Sequence, residues 1–226
     1  MNDRNKMKSI LSYDDVAQYG AGSSNEPLVE VTRYDSSIIA KYIKKDMVPI
    51  TGNMIYVRDS VAQKLARIEK NLKDKGYRLR VAYGYRHPDV QLDYFKKRRE
   101  IVSKQRPDLK DAALDRYVYN FVARPDVAGH PAGAAIDITL VTLDGDDVDM
   151  GTKIADYSDE DKIKTYASGL TDVQVDNRKV LHDAMISEGF APFYGEWWHF
   201  SYGDREWAAF YEEKTLYDTV DFRIKK

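Results

Sequence analysis

Gly129-His130-Pro131-Ala132-Gly133-Ala134-Ala135-Ile136-Asp137 cannot be one regular element if its His and Asp are to share an ion. Zinc ligand atoms sit about 2.0–2.2 Å from the metal, so any two lie within roughly 4 Å of each other. On a helix, His130 and Asp137 would stand two turns and about 10 Å apart. On a continuous strand, their odd separation puts them on opposite faces. Pro131 and Gly133 supply the bend, because proline fixes φ and glycine reaches conformations closed to other residues. The reading is a loop carrying His130 that enters a strand over residues 134–143, rich in Ile, Thr, Val and Leu, carrying Asp137.

A second stretch, Glu196-Trp197-Trp198-His199, follows Gly189 and Gly195 and runs into Phe200-Ser201-Tyr202. It reads as another strand, with Trp198 and Phe200 on one face and Trp197 and His199 on the other. Glu196 falls on the Trp198 face of a regular strand, so a twist or bulge near the metal is expected. The two stretches hold two of the chain's four His, an Asp and a Glu. A hydrolytic zinc site needs that set: three protein ligands from His and carboxylate, with the fourth position open to water. The Glu three residues before the last His is then placed to take a proton from the water.

The other elements are read from periodicity and punctuation. Residues 28–34 alternate apolar and polar side chains, as a strand does. Asp59 or Ser60 caps a helix in which Val61, Leu65, Ile68 and Leu72 recur at helical spacing, and Gly76 ends it. Residues 78–83 form a strand, and helices follow from about Asp89 and over 109–123. Asp144-Gly145 marks a turn, and further helices cover 177–188 and 205–213. Strands and helices mix without regular β-α alternation. The fold class is therefore α+β: a single domain with a mainly antiparallel sheet flanked by helices and the zinc site on the sheet. Residues 1–27 read as a flexible N-terminal lead-in, or an arm laid over the domain, and 28–226 as the zinc-binding domain.

The His130, Gly133, Ala135, Asp137 pattern and the closing Glu-Trp-Trp-His resemble the zinc D-alanyl-D-alanine peptidases of family M15, in particular the vancomycin-resistance type of dipeptidase. Gly84-Tyr85-Arg86, Met150-Gly151-Thr152 and the run from Arg178 to Phe190 agree in order and spacing, so the likeness covers roughly residues 51–202. The resemblance implies the hedgehog-like peptidase fold and one Zn2+ per chain held by His130, Asp137 and His199. It makes Glu196 the general base and Arg86 the cation that stabilises the oxyanion. It also implies a small peptide substrate such as D-alanyl-D-alanine. D,D- or L,D-carboxypeptidase action on peptidoglycan stem peptides is the alternative, and a non-catalytic zinc-binding module a third.

The departures from the family pattern fall on the substrate-holding positions. The family serine two residues before the first His is Ala128, the acid of its Asp-Gly-Tyr-Arg-Pro stretch is Tyr83, and His87 is inserted before Pro88. The family Asp that pairs with the substrate ammonium falls at Ala155, with Asp156 one residue later as the expected partner. Trp197 and Trp198 are expected to wall the pocket, which makes Trp198 a substrate contact. His87 reads as packing beside the site and His182 as an ordinary helix residue.

Lys+Arg number 35 against 37 Asp+Glu, so no general attraction to nucleic acid or anionic membrane follows. The Lys96-Lys97-Arg98-Arg99 run reads as a solvated helix face. The absence of cysteine excludes disulfides and thiolate ligands. No apolar run reaches membrane-spanning length. The polar start at Met1-Asn2-Asp3-Arg4 lacks a signal peptide's apolar core, so a cytoplasmic location is expected if it is the natural start. Oligomeric state is not legible.

Overall fold

The computed structural model describes residues 9–224, so the first eight residues of the expected lead-in lie outside the described residues. In chain order the elements are α1 (Tyr13–Ala17), β1 (Leu28–Glu30), β2 (Ile39–Ala40), α2 (Val48–Thr51), β3 (Tyr56–Arg58), α3 (Asp59–Lys73), β4 (Tyr77–Tyr83), α4 (Pro88–Gln105), α5 (Asp111–Tyr119), a 3-10 turn (His130–Ala132), β5 (Ala135–Thr142), α6 (Asp172–Ser187), β6 (Ala191–Pro192), β7 (His199–Ser201) and α7 (Arg205–Tyr211). The main sheet runs β2-β4-β5-β7-β6, and β1 with β3 makes a separate antiparallel pair. Among the described residues only β2 and β4 pair in parallel. The mixed α+β class with a mainly antiparallel sheet is the architecture found.

β5 is the centre of this sheet and is buried over nearly its whole length. Its Ile136, Ile138 and Leu140 join Val61, Leu65, Ile68 and Leu72 of α3 and Leu181 and Met185 of α6 in the main core. Strand alternation then turns Asp137 to the opposite face. The apolar stripe on α3 is thus what orients the sheet so that its other side can carry a polar site.

Several boundaries differ from the periodic reading, each for a local reason. β1 stops at Glu30 because Arg33 N–H donates to the Glu30 carbonyl at 2.9 Å and turns the chain. α3 has Arg58 at its cap position with no side-chain cap bond; Glu26, far away in sequence, accepts from Ser60 N–H at 2.6 Å instead. α5 is shorter at both ends than 109–123, with Leu109 held in a turn to Arg106. α6 starts five residues before Asn177, at a reciprocal capping box between Thr171 and Gln174. The described residues before Pro27 lie over the domain: Val16 is fully buried and Tyr13 meets Tyr119 edge-on.

Candidate metal centre

His130 opens the 3-10 turn ahead of β5, and Gly133 closes that turn at φ +69, a left-handed conformation that suits glycine. Gly129 has a different constraint, because a Cβ there would sit 1.8 Å from Asp204 Oδ2. The bend read from Pro131 and Gly133 is present, though as a tight turn rather than an open loop. Asp137 on β5 pairs in register with His199 on β7, so both side chains leave the same face.

Glu196 is not on that strand. The chain from Phe193 to His199 makes two successive tight turns, with Glu196 N–H donating to Phe193 O at 3.0 Å and His199 N–H to Glu196 O at 3.1 Å. This brings Glu196 to the His199 side without the bulge expected there. The register irregularity lies instead on β4, between Val81 and Tyr83, opposite Asp137.

One ligand atom from each of His130, Asp137 and His199 falls within 4.8 Å of the others. His130 Nε2 lies 3.5 Å and His199 Nδ1 3.1 Å from Asp137 Oδ1. His130 Nδ1 lies 2.8 Å from the Gly84 carbonyl, which only accepts, so the proton is on Nδ1 and the Nε2 lone pair faces Asp137. Burial pushes the His130 pKa down to about 4, so the ring is neutral and able to ligate. Burial alone would raise the Asp137 carboxyl, but His130 and His199 outweigh it and hold the group well below the usual carboxylate range. Burial would lower His199 too; the Asp137 hydrogen bond and Glu206 overrule it and bring the ring to about 9. Two imidazole nitrogens and a carboxylate oxygen, convergent and with His130 and Asp137 buried, are a donor set suited to a divalent transition metal.

Around this trio sit a carboxylate and a cation. Glu196 is 7% exposed, and burial pushes its pKa up to about 7 while His199 draws it back. The Tyr157 hydroxyl donates to Glu196 Oε1 at 2.8 Å. Arg86 Nη2 lies 3.9 Å from Asp137 Oδ2, and Nη1 donates to Gln91 Oε1 at 2.9 Å. Its guanidinium stacks over Tyr83 at 4.3 Å and Tyr94 at 4.8 Å. A cavity of about 160 Å³ opens onto Arg86, Asp137, Glu196 and both imidazoles.

The expected substrate positions separate into two groups. Ala128 and Ala155 line the cavity. Asp156 does not; it is exposed and turned back onto Ser158 N–H at 3.1 Å, because the chain reverses at Ala155 with φ +57. Tyr83 is 1% exposed and donates to Asp46 at 2.9 Å, so it supports Arg86 from behind. Trp198, 1% exposed, is in the main core and not on the cavity wall. Trp197 likewise faces inward and holds the Met150-Gly151-Thr152 loop through Nε1–H to Thr152 Oγ1 at 2.8 Å. Arg178 pins that loop and its continuation by donating to the carbonyls of Met150, Lys162 and Lys164. His87 is buried and caps α4, as a packing residue would. Tyr157, Lys44 and Glu206 line the cavity and were not singled out by motif.

A His/Asp/His cluster, two members on the sheet and one on the turn before it, with a buried carboxylate and an arginine beside it, is the set of groups a metallopeptidase uses. The chain belongs to the M15 peptidase family: the family model described as D-ala-D-ala dipeptidase matches residues 27–219. A D-alanyl-D-alanine dipeptidase of Enterococcus faecalis is 31% identical over 173 residues, 72% of this chain and 82% of that protein. One from Synechocystis sp. is 38% identical over 94 residues, 38% of each chain. Among solved structures, the LdcB LD-carboxypeptidase aligns at 19% identity with a TM-score of 0.46, covering 85% of this chain and 78% of that one. Among the described residues no helix is long and apolar enough to cross a membrane.

Proposed function

We propose that this chain is a zinc-dependent dipeptidase that hydrolyses D-alanyl-D-alanine or a closely related small dipeptide. The observation carrying this reading is the convergence of His130, Asp137 and His199 with Glu196 beside them, in a chain matched along most of its length by the dipeptidase family. When bound, zinc supplies Lewis-acid polarisation of the scissile carbonyl and lowers the pKa of water from 15.7 to about 7.

His130 holds its Nε2 lone pair toward the metal position because the Gly84 carbonyl fixes its tautomer. Tyr157 occupies Glu196 Oε1, which leaves Oε2 to take the proton from the attacking water. Glu196 then delivers that proton to the nitrogen of the leaving amine. Arg86, held by Gln91 and stacked between two tyrosines, sets a fixed cation beside the developing oxyanion. Burial of these groups excludes bulk water and strengthens each charge interaction.

A carboxypeptidase reading has one specific observation in its favour. With Asp156 turned outward, the carboxylates lining the cavity are Asp137, Glu196 and Glu206, and the first two are committed to metal and proton transfer. A free substrate ammonium therefore has Glu206 as its one uncommitted carboxylate among these. Turnover of D,D-, L,D- and L,L-dipeptides and of an acylated pentapeptide, each with and without chelator, decides between the two. Chelator-sensitive cleavage of D,D-dipeptides with the pentapeptide untouched supports the dipeptidase; cleavage of the pentapeptide alone overturns it.

A further inference from the structure

We propose that Glu206 is a positioning residue that fixes the ring of His199 for metal binding; this rests on His199 being a ligand. Asp204 caps α7, accepting from Trp207 N–H at 2.8 Å, and the cap sets Glu206 in the first helical turn, directed back at β7. Glu206 Oε1 lies 3.8 Å from His199 Nε2, while the other ring nitrogen faces Asp137 Oδ1 at 3.1 Å. The imidazole is therefore held between two carboxylates, one on each nitrogen.

Two features give this contact a role. Glu206 Oε1 is closed to solvent and makes no hydrogen bond among the described residues. The His199 ring lies within ion-pair distance of it. On His130 the outer nitrogen is hydrogen-bonded to the Gly84 carbonyl at 2.8 Å; on His199 it faces the Glu206 carboxylate at ion-pair distance. A carboxylate there favours the tautomer with its proton on Nε2 and makes the ring a more basic ligand.

The role predicts a loss of metal affinity that a merely structural residue would not show. Zinc dissociation constants would be measured on zinc-free wild type, Glu206→Met and Glu206→Gln by competition with a chromophoric chelator, alongside thermal unfolding without zinc. Glu206→Met should weaken zinc binding about 10- to 100-fold, whatever the change in zinc-free Tm. Glu206→Gln keeps an acceptor and should weaken binding less. Unchanged zinc affinity in both variants overturns the inference alone, as does a lower Tm with unchanged affinity, the mark of a merely structural residue. If Glu206→Met does not fold, wild-type affinity in Glu206→Gln is sufficient to overturn it. Wild type that binds no zinc would overturn the reading of the site itself.

Discussion

Asp137 and His199 are direct register partners across β5 and β7, with the imidazole Nδ1 3.1 Å from the carboxylate Oδ1. The sheet itself therefore builds two-thirds of the cluster, and only His130 depends on a turn. Asp137→Ala removes the shared centre of the trio. It should weaken zinc binding by more than the roughly 10- to 100-fold seen for outer-shell changes and abolish turnover. Metal analysis after gel filtration checks this, and one zinc per chain retained in the variant would contradict it.

Glu196→Gln keeps the size and the Tyr157 contact of the side chain but cannot accept a proton. Zinc content should stay at one per chain while kcat falls about 10²- to 10⁴-fold. Steady-state kinetics with matched zinc content test this, and wild-type turnover would remove Glu196 from the mechanism.

The fold class and the three residues that converge as the His/Asp/His cluster were legible because they depend on local pattern. Pro131 and Gly133 announce the bend, the β-branched run after Ala134 announces β5, and Glu196 and His199 stand in one short motif. Tyr157 and Glu206 were not legible, since each acts through a contact made only by the folded chain: Tyr157 across 39 positions to Glu196, Glu206 from α7 onto β7. Trp198 misled because a tryptophan in a motif looks the same whether it faces a cleft or, as here, the core. Asp156 misled because spacing does not reveal the reversal at Ala155.

Arg86→Ala should lower kcat about 10²- to 10³-fold with a smaller change in KM, as for a group acting on developing charge. Arg86→Lys should restore little, because lysine cannot reproduce the stacking over Tyr83 and Tyr94 together with the Gln91 bond. An unchanged kcat with a raised KM would make Arg86 a substrate-carboxylate anchor instead.

Tyr157→Phe removes the bond that holds Glu196 Oε1. A hydrogen bond to a charged group contributes roughly 1.5–3 kcal/mol, so kcat should fall about 10- to 100-fold if it is lost in the transition state, with zinc content intact. Equal kcat in the variant would show that Glu196 is positioned without it.

Zinc binding should depend on pH with a definite sign. His199 in the zinc-free protein holds its proton up to about 9, and Glu196 is about half protonated near 7. A metal must displace the His199 proton, and its charge draws the Glu196 carboxyl toward the ionised form, so affinity rises with pH, by about tenfold per unit where one proton is released. Calorimetry at pH 7 in buffers of different ionisation enthalpy should report between one and two protons released per zinc. No release would mean that His199 is not a ligand.

Anomalous diffraction at the zinc edge, on crystals of the zinc-loaded protein, tests the central arrangement most directly. One peak within about 2.0–2.2 Å of His130 Nε2, an Asp137 oxygen and His199 Nδ1 is the predicted result. Density for zinc elsewhere, or bonded to His199 through Nε2, would contradict it.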